Sequence, residues 1–307
     1  MKTQYFEINA PSGSLWCAYD YMSHPEEDKP LVIVTPAYEK TARESLTIAN
    51  YLVLNGFRVL RFDSGNSVGL SYGNIEIYTM SSITSDIEHI TKYACDNLLF
   101  DKPLSLLAMS LSARALLKYL SKNTSESKNI MVAMSIVGVA DLHYTITQVA
   151  NFDYFNAYLK GERFGCRKLL TYDIDYDNFM EDAIKSNFRT IESTIEDAGK
   201  ARVPHYGSIM VSEDEWILPE QQKKMHDALI NSQVEQFLIS GASHKMWKNP
   251  RSAEIAIKNA VRFISKYVLD NDISIDDLIK PNITDIIEIN RVERKVILQR
   301  ESERMLL

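Results

Sequence analysis

The stretch LSLLAMSLSARALLKYL, residues 104–120, joins two kinds of local structure with no linker between them. Its first six residues form a continuous apolar run, which is typical of a strand buried on both faces of a parallel sheet. The residues from Leu111 onward have the apolar spacing of a helix. Ser110 therefore lies at a strand-to-helix turn, the position of the reactive serine in a nucleophile elbow.

The residues around Ser110 also suit such a turn. Its backbone is strained, and the side chains two positions before and two positions after the serine crowd each other, so both must be small. Ser110 has Ala108 and Ser112 at these positions, an A-x-S-x-S variant of the common G-x-S-x-G motif. Ser105 and Ser112 would each place a large side chain at one of them. Ser110 is the candidate nucleophile, and the alternative is an ordinary serine between a strand and a helix.

A different serine matches G-x-S-x-G itself, in GLSYG at residues 69–73. The strand before it ends near Phe62, and the polar or small residues DSGNSV intervene. The residues that follow, NIEIYTMSS, begin no helix at the motif. Since clusters of Gly, Ser and Asn are typical of loops, Ser71 is predicted to lie in a loop and to have no catalytic role.

Outward from residues 104–120, apolar runs of strand length alternate with helical patterns. Further strands are predicted at residues 31–35, 57–62, 130–139, 205–212 and 234–240, with an antiparallel edge hairpin made by QYFEI and LWCAYDY. This alternation predicts an α/β protein with a mostly parallel, doubly wound sheet and a helical cap insertion. Together with the elbow at Ser110 it indicates the α/β-hydrolase fold. The core is assigned to residues 1–142 and 203–307. Residues 143–202 lack a buried strand and are predicted to be the helical cap.

Composition and charge exclude several classes of protein. The net charge of −7 argues against a nucleic-acid binder, which would carry a basic stripe. The longest apolar run, residues 130–140, is far shorter than the roughly 18 residues that span a bilayer, and the N-terminus has no signal peptide. Cys17, Cys95 and Cys166 are too widely spaced to indicate disulfides or a zinc site. A cytoplasmic protein without metal or transmembrane segment is expected.

A serine hydroxyl needs a base to take its proton, and the base needs a third group to orient it. In nucleophile-elbow hydrolases the chain order is serine, acid, histidine. Among the later histidines, His205 opens a strand and His226 lies in a helical pattern, where packing or surface roles are expected. His244 lies in GASHK, just after the strand at 234–240, at the end of a sheet where function concentrates. His244 is therefore the candidate base.

The acid is expected at the end of the preceding strand, where SEDEW offers three carboxylates. Composition does not choose among Glu213, Asp214 and Glu215. Asp214 is preferred because aspartate is the shorter and commoner partner of such a histidine. Asp141, which follows another strand in VGVAD, is the reserve candidate.

The oxyanion hole needs two backbone N–H donors. One belongs to the residue after the nucleophile, Leu111, and the other to the loop after an early strand, here TPAYEK. Pro36 has no N–H, which leaves Ala37 or Tyr38. Tyr38 is the preferred second donor.

At these residues the sequence resembles the acyl-transferase family of the bacterial luminescence system. The resemblance covers nearly the whole chain and rests on NGFRVLRFDS, VGLSYGNIEIYTM, AMSLSARA, VGVADL followed by NFDYF, SEDEW and GASH. It implies a fatty-acyl thioesterase with Ser110, Asp214 and His244 as its triad. It further implies an acyl carrier protein or acyl-CoA substrate, a chain of about fourteen carbons, no cofactor, and the reductase and synthetase subunits of a fatty acid reductase complex as partners. The departure TPAY, where many hydrolases have His-Gly, leaves the second oxyanion donor open.

Two parts of the chain carry alternative interpretations. The aromatic residues Phe152 and Phe155, with Tyr154 and Tyr158, are predicted to wall an acyl tunnel; alternatively they join the cap to the sheet. The C-terminal segment is charged, and three of its cations are candidates for contact with an acidic carrier or partner subunit, although a solvated amphipathic helix is favoured. These cations are Arg294, Lys295 and Arg300.

Two other functions remain open at this point. The same triad would serve a carboxylesterase or lipase that acts on oxygen esters. A hydrolase-like scaffold that binds a partner without catalysis is the third hypothesis, because one fold hosts many functions.

Overall fold

A computed structural model describes residues 1–24 and 28–305 of the 307-residue chain. The apolar runs found in the sequence form the strands of a single large sheet. Its strands are β1 (Lys2–Ala10), β2 (Gly13–Tyr21), β3 (Leu31–Val34), β4 (Arg58–Phe62), β5 (Leu104–Met109), β6 (Ile130–Ile136), β9 (His205–Glu213) and β10 (Gln233–Ser243). A separate hairpin pairs β7 (Cys166–Leu169) with β8 (Tyr172–Asp175).

The segments with helical periodicity form helices between these strands. They are α1 (Leu46–Leu54), α2 (Met80–Asn97), α3 (Leu111–Ser121), α4 (Leu142–Ala150), α5 (Tyr154–Leu159), α6 (Tyr176–Lys185), α7 (Ile191–Lys200), α8 (Pro219–Ala228), α9 (Pro250–Val268) and α10 (Ile283–Met305). Proline occupies the first turn of α8 and α9, where its missing N–H costs nothing. Among the described residues, no helix is both long enough and apolar enough to cross a membrane.

The order of strands in the sheet determines where a site can form. The order is β1-β2-β4-β3-β5-β6-β9-β10, with β1, β2 and β4 paired antiparallel and the strands from β4 through β3 to β10 paired parallel. The carboxyl ends of β3, β5, β6, β9 and β10 therefore meet at one edge. In open α/β sheets this edge is where ligands bind.

The sheet separates two hydrophobic layers. On one face, the apolar stripes of α1 and α9 pack on Val32, Val59 and Ile209. On the other face, α2, α3 and α8 pack on Ile33 and Leu106 together with parts of residues 143–202. Central strands such as β5 are buried along their whole length, which explains their continuous apolar sequence.

Residues 143–202 contain the helices expected there and one feature that was not expected. Helices α4, α5, α6 and α7 lie in or overlap this segment, but β7 and β8 interrupt them with a short antiparallel hairpin. The first three residues of β7, Cys166 to Lys168, are exposed. A four-residue strand with little buried surface has no apolar run, so the sequence pattern did not indicate it.

The C-terminal helix is attached to the core by a buried ion cluster, contrary to the expectation of a solvated amphipathic helix. Arg61 binds Asp20 through Nε at 2.6 Å and Glu293 of α10 through Nη1 at 3.0 Å, and all three side chains are fully buried. Burial disfavours the charged guanidinium, but the two carboxylates outweigh it and raise the pKa of Arg61. Arg300 pairs with Glu7 at 2.7 Å, so its charge is already used within the chain.

The other two C-terminal cations, Arg294 and Lys295, are exposed on α10. Their contact with a carrier or partner subunit stays a prediction. The apolar side chains of α10 are spread around the helix instead of forming one buried stripe, since Ile283, Ile287 and Leu298 are exposed.

Candidate active site

Ser110 lies at the turn between β5 and α3, at the carboxyl edge of the sheet. Its backbone has φ of 51° and ψ of −123°, a strained conformation for a residue other than glycine. Two hydrogen bonds hold it there: its N–H donates to the carbonyl of Ile136 at 2.9 Å, and its carbonyl accepts the N–H of Val139 at 3.1 Å. The end of β6 therefore clamps the peptide of the serine in the geometry of a nucleophile elbow.

The space around this turn is as tight as the sequence argument requires. Ala108 and Ser112, the two flanking small residues, are fully buried. The Ser112 hydroxyl donates to the carbonyl of Pro36 at 2.5 Å, which ties α3 to the loop after β3. A Cβ added at Gly138 would come within 2.9 Å of the Ala113 Cβ, so glycine is needed where the β6 loop passes the elbow.

The structure brings the three predicted polar side chains into one chain of hydrogen bonds. Ser110 Oγ lies 2.8 Å from His244 Nε2. On the other side of the ring, His244 Nδ1 lies 3.1 Å from Asp214 Oδ1 and 3.0 Å from Oδ2. Distances of this size allow proton transfer from the hydroxyl to the imidazole while the carboxylate holds the ring.

The loop after β9 fixes the acid and the base together. Asp214 Oδ1 also accepts the backbone N–H groups of Trp216 at 2.9 Å and Ile217 at 3.1 Å, so the carboxylate cannot rotate freely. The Trp216 ring packs against the His244 ring with 4.7 Å between centroids. Glu215 accepts the backbone N–H of His244 at 3.4 Å. The histidine side chain is only 5% exposed, which shields its hydrogen bonds from water.

The remaining acidic and histidine candidates lie elsewhere. Asp141 caps α4 by accepting the Tyr144 N–H at 2.9 Å, so its carboxylate has a local structural role. His205 stacks on Tyr267 at the start of β9, the opposite end from Ser110. His226 is buried in α8, and this burial lowers its pKa to about 4.

Ser71 lies in a loop, as expected, and the loop explains its motif. Its hydroxyl accepts the Trp16 N–H at 2.9 Å and donates to the Asp63 carbonyl at 2.5 Å, both structural contacts. Gly69 has φ of 111°, and a side chain there would collide with the Asp63 carboxylate. Glycine and serine in GLSYG are thus accounted for by loop packing against Asp63.

The two expected oxyanion donors flank the serine. Leu111 begins α3, and the first N–H groups of a helix have no partner within it. Tyr38 and Ala37 lie in the loop after β3 and line the same cavity as Ser110. The Tyr38 hydroxyl donates to the Leu169 carbonyl of the β7–β8 hairpin at 3.2 Å, and burial raises its pKa. Ala37 and Tyr38 both stay candidates for the second donor.

Two cavities adjoin Ser110. The Ser110 cleft, about 510 Å³, is open to solvent and is lined by Ala37, Tyr38, Glu39, Lys40, Met109, Ser110, Val137, Leu170, Thr171, Trp216, His244, Lys245, Trp247 and Lys248. The apolar slot, about 30 Å³, lies beneath the hairpin tip and is lined by Tyr38, Ser110, Leu111, Val139, Thr145, Ile146, Val149, Leu169, Leu170 and Trp216. A water molecule occupies roughly 30 Å³ in the liquid, so the slot has no room for an acyl chain as it stands.

The predicted tunnel residues Phe152 and Phe155 line neither of these cavities. Phe155 is fully buried, with its ring 5.2 Å from that of His143. Phe152 is half exposed and packs on Tyr154 at 4.7 Å between ring centroids. In this structure the two phenylalanines therefore contact other residues of the insertion, and their contact with an acyl chain stays a prediction.

The apolar residues that do reach Ser110 were missed by sequence reasoning. Leu169 and Leu170 come from the unexpected hairpin, and Ile146 and Val149 come from α4. Trp216 could have been found from the sequence, because it is a large aromatic residue only two positions after the candidate acid Asp214. The described residues contain no group of three or more His, Cys, Asp or Glu side chains arranged to hold a metal.

Comparison with known proteins gives a family and several relatives. A family model described as "Acyl transferase" matches residues 15–302. An acyl transferase of Aliivibrio fischeri is 25% identical over 310 residues, covering 96% of this chain and 93% of the relative. An acyl transferase of Photorhabdus luminescens is 24% identical and covers 91% of this chain and 89% of the relative.

Solved structures at low identity share the fold. Est1E from Butyrivibrio proteoclasticus with bound ferulic acid has a TM-score of 0.66 at 14% identity, covering 87% of this chain and 100% of that one. A thioesterase domain from the curacin biosynthetic pathway has a TM-score of 0.57 at 13% identity, covering 85% and 99%. These similarities confirm the α/β-hydrolase fold predicted from the sequence.

Proposed function

Since this chain belongs to the acyl transferase family, as its sequence resemblance indicated, we propose that it is a serine acyl-thioester hydrolase or acyltransferase. The family supports acyl transfer or hydrolysis as the reaction class. The observation that carries the finer proposal is the hydrogen-bonded series Ser110, His244 and Asp214 at a strained strand-to-helix turn.

The first half-reaction forms an acyl-serine. Ser110 Oγ attacks the thioester carbonyl carbon while His244 Nε2 takes the hydroxyl proton, and Asp214 stabilises the resulting imidazolium. The carbonyl oxygen becomes negative and is bound by the N–H of Leu111 and by the second donor on the β3 loop, Tyr38 in our assignment. The carbon–sulfur bond then breaks, and His244 returns its proton to the leaving thiolate. Thiol and acyl-enzyme are the products of this step.

The second half-reaction releases the acyl group. Water, or a hydroxyl or thiol acceptor, gives a proton to His244 as it attacks the acyl-serine carbonyl. The same amides hold the oxyanion, and Ser110 leaves with the proton that His244 carries. With water the product is a free fatty acid, and the enzyme returns to its starting protonation state.

The apolar slot is our assignment for the acyl chain. Its wall consists mainly of aliphatic side chains, with Trp216, Tyr38 and Thr145, and Ser110 is among its lining residues. Each methylene group moved from water into such a site stabilises binding by about 0.8 kcal/mol, which favours long chains. The hairpin tip at Leu169 and Leu170 must move for a long chain to enter, because the slot holds only about 30 Å³.

Long-chain substrates on acyl carrier protein or acyl-CoA, with chains near fourteen carbons, complete the proposal. The organisms of the related acyl transferases, including Aliivibrio fischeri, support a place in the luminescence pathway. There the released fatty acid would be passed to a fatty acid reductase, with the reductase and synthetase subunits as partners.

Covalent trapping tests the proposal. The protein is mixed with a long-chain acyl thioester labelled in the acyl group, quenched with acid, and the label retained on the chain is measured. We expect label on wild type and on Ser71→Ala, because the Ser71 hydroxyl is bonded to backbone groups and has no histidine partner, and none on Ser110→Ala. Absence of label on wild type with every thioester would refute the proposal and favour a non-catalytic scaffold.

A comparison of rates separates thioesters from oxygen esters. The measured quantity is kcat/KM for acyl-thioesters and for nitrophenyl esters of the same chain length. A clear preference for the oxygen esters would replace the thioesterase proposal with the carboxylesterase alternative.

A further inference from the structure

The mouth of the Ser110 cleft carries a local positive charge, whereas the chain as a whole has a negative net charge. Lys245 and Lys248 both line the cleft and are exposed to solvent. Lys40 also lines it, but its ammonium group is paired with Glu44 at 3.0 Å. The whole chain has a formal charge of −7, so two uncompensated lysines beside the reactive serine are opposite to its average.

Neither Lys245 nor Lys248 has a carboxylate partner among the residues that the structure describes. The Nζ atom of Lys245 lies 4.7 Å from the ring centroid of Trp216, a cation–π contact that leaves its N–H donors available. Lys248 ends the short 3-10 turn Met246–Lys248 with its side chain in solvent. Glu39, which also lines the cleft, accepts the N–H and hydroxyl of Thr171. The two ammonium groups are therefore free to bind an anion.

The cleft beside these lysines has the size for a thiol arm, and its lining combines apolar side chains with polar and charged ones. Its volume of about 510 Å³ lies within the usual range for small-molecule sites. The apolar slot beside Ser110 is lined mainly by aliphatic side chains and suits the acyl end of a thioester. The thiol end must then lie in the cleft, with its far part at the mouth.

Resting on the proposed function, we propose that Lys245 and Lys248 bind the phosphate of the phosphopantetheine arm that carries the acyl group. Phosphate is a strong hydrogen-bond acceptor, and lysine binds it as a point charge. Acyl-CoA and acyl carrier protein present the same arm, so one phosphate subsite serves both sources. The two lysines are specificity residues and take no part in bond breaking.

The test compares two substrates that differ only in this phosphate. kcat/KM is measured for acyl-phosphopantetheine and acyl-pantetheine with wild type, Lys245→Gln, Lys248→Gln and the double variant. Losing two charge-assisted contacts should lower the value for the phosphorylated substrate about tenfold in the double variant, and that for the pantetheine ester less than about twofold. Lys128→Gln is the matched control, since Lys128 is exposed just before β6, at the opposite edge of the sheet.

Equal losses for both substrates, or none, would overturn the inference. Acyl-CoA and acyl carrier protein are then compared in the same variants. Similar losses with both support the phosphate subsite, whereas a loss confined to the carrier protein would show that the lysines contact its acidic surface instead and would overturn the assignment. Failure of the proposed function looks different: wild type would then form no acyl-Ser110 with either thioester.

Discussion

The geometry around Asp214 makes the effect of Asp214→Asn calculable. In the wild type Oδ1 accepts the N–H groups of Trp216 and Ile217, at 2.9 and 3.1 Å. An asparagine must keep its carbonyl oxygen at this position, because its NH₂ group would face two donors there. The NH₂ group is therefore forced into the place of Oδ2, 3.0 Å from His244 Nδ1.

That orientation reverses the proton arrangement of the imidazole. Nδ1 has to accept from the asparagine, so the neutral ring carries its proton on Nε2, which lies 2.8 Å from Ser110 Oγ. Nε2 then donates to Ser110 Oγ and can no longer accept the serine proton. In serine hydrolases with this arrangement the wrong tautomer costs about 10⁴ in rate, or about 5 kcal/mol of activation free energy.

Single-turnover acylation with a labelled long-chain thioester measures this loss, and thermal unfolding checks that the fold is retained. Asp141→Asn is the matched control, since it changes a carboxylate to an amide at the cap of α4, where asparagine caps equally well. We expect normal acylation in this control. A folded Asp214→Asn protein that acylates within tenfold of wild type would refute the assignment, and a large loss in Asp141→Asn would transfer the acid's role there.

Two further predictions concern stability. Asp20→Asn should lower the unfolding free energy, measured by urea titration, by about 3–5 kcal/mol, because Arg61 loses its bidentate partner. Glu293→Gln removes the second of two carboxylates around one guanidinium and should lower the unfolding free energy by only about 1 kcal/mol. Equal losses in the two variants would contradict this reasoning. Burial lowers the pKa of His226 from 6.5 to about 4, so the folded chain binds this proton more weakly than the unfolded chain. The unfolding free energy should therefore fall by roughly 3 kcal/mol between pH 6.5 and 4, a slope that His226→Leu flattens and the exposed-site control His24→Gln retains.

The sequence predicted the sheet and the elbow because both depend on local pattern. Buried parallel strands are continuously apolar, and the strained turn at Ser110 demands small neighbours, so each leaves a direct trace in the residue order. The pairing of His244 with Asp214 followed from chain order and strand ends. Their roles in catalysis remain proposals that the trapping and tautomer experiments test.

Other features could not be predicted, for physical reasons that differ. The β7–β8 hairpin has too little buried surface to produce an apolar run. The burial of Glu293 depends on Arg61, 232 positions away, and a pattern within α10 carries no information about such a partner. Phe152 and Phe155 were assigned to the acyl tunnel as aromatic residues of the insertion, and this stays a prediction. They line neither cavity beside Ser110, because the path of the chain decides which aromatic residue faces the serine.

The tip of the β7–β8 hairpin has a consequence for how the reaction rate depends on the length of the acyl chain. Its Leu169 carbonyl and its Thr171 side chain form hydrogen bonds with Tyr38 and Glu39, neighbours on the loop to which we assign the second oxyanion donor. An acyl chain long enough to displace the hairpin tip must also displace this loop, because the two are hydrogen-bonded to each other. An acyl chain of two or three carbons leaves both in place. Shortening the acyl chain should therefore change kcat as well as substrate affinity, because the far end of the chain contacts a hairpin that is bonded to the loop of the assigned oxyanion donor.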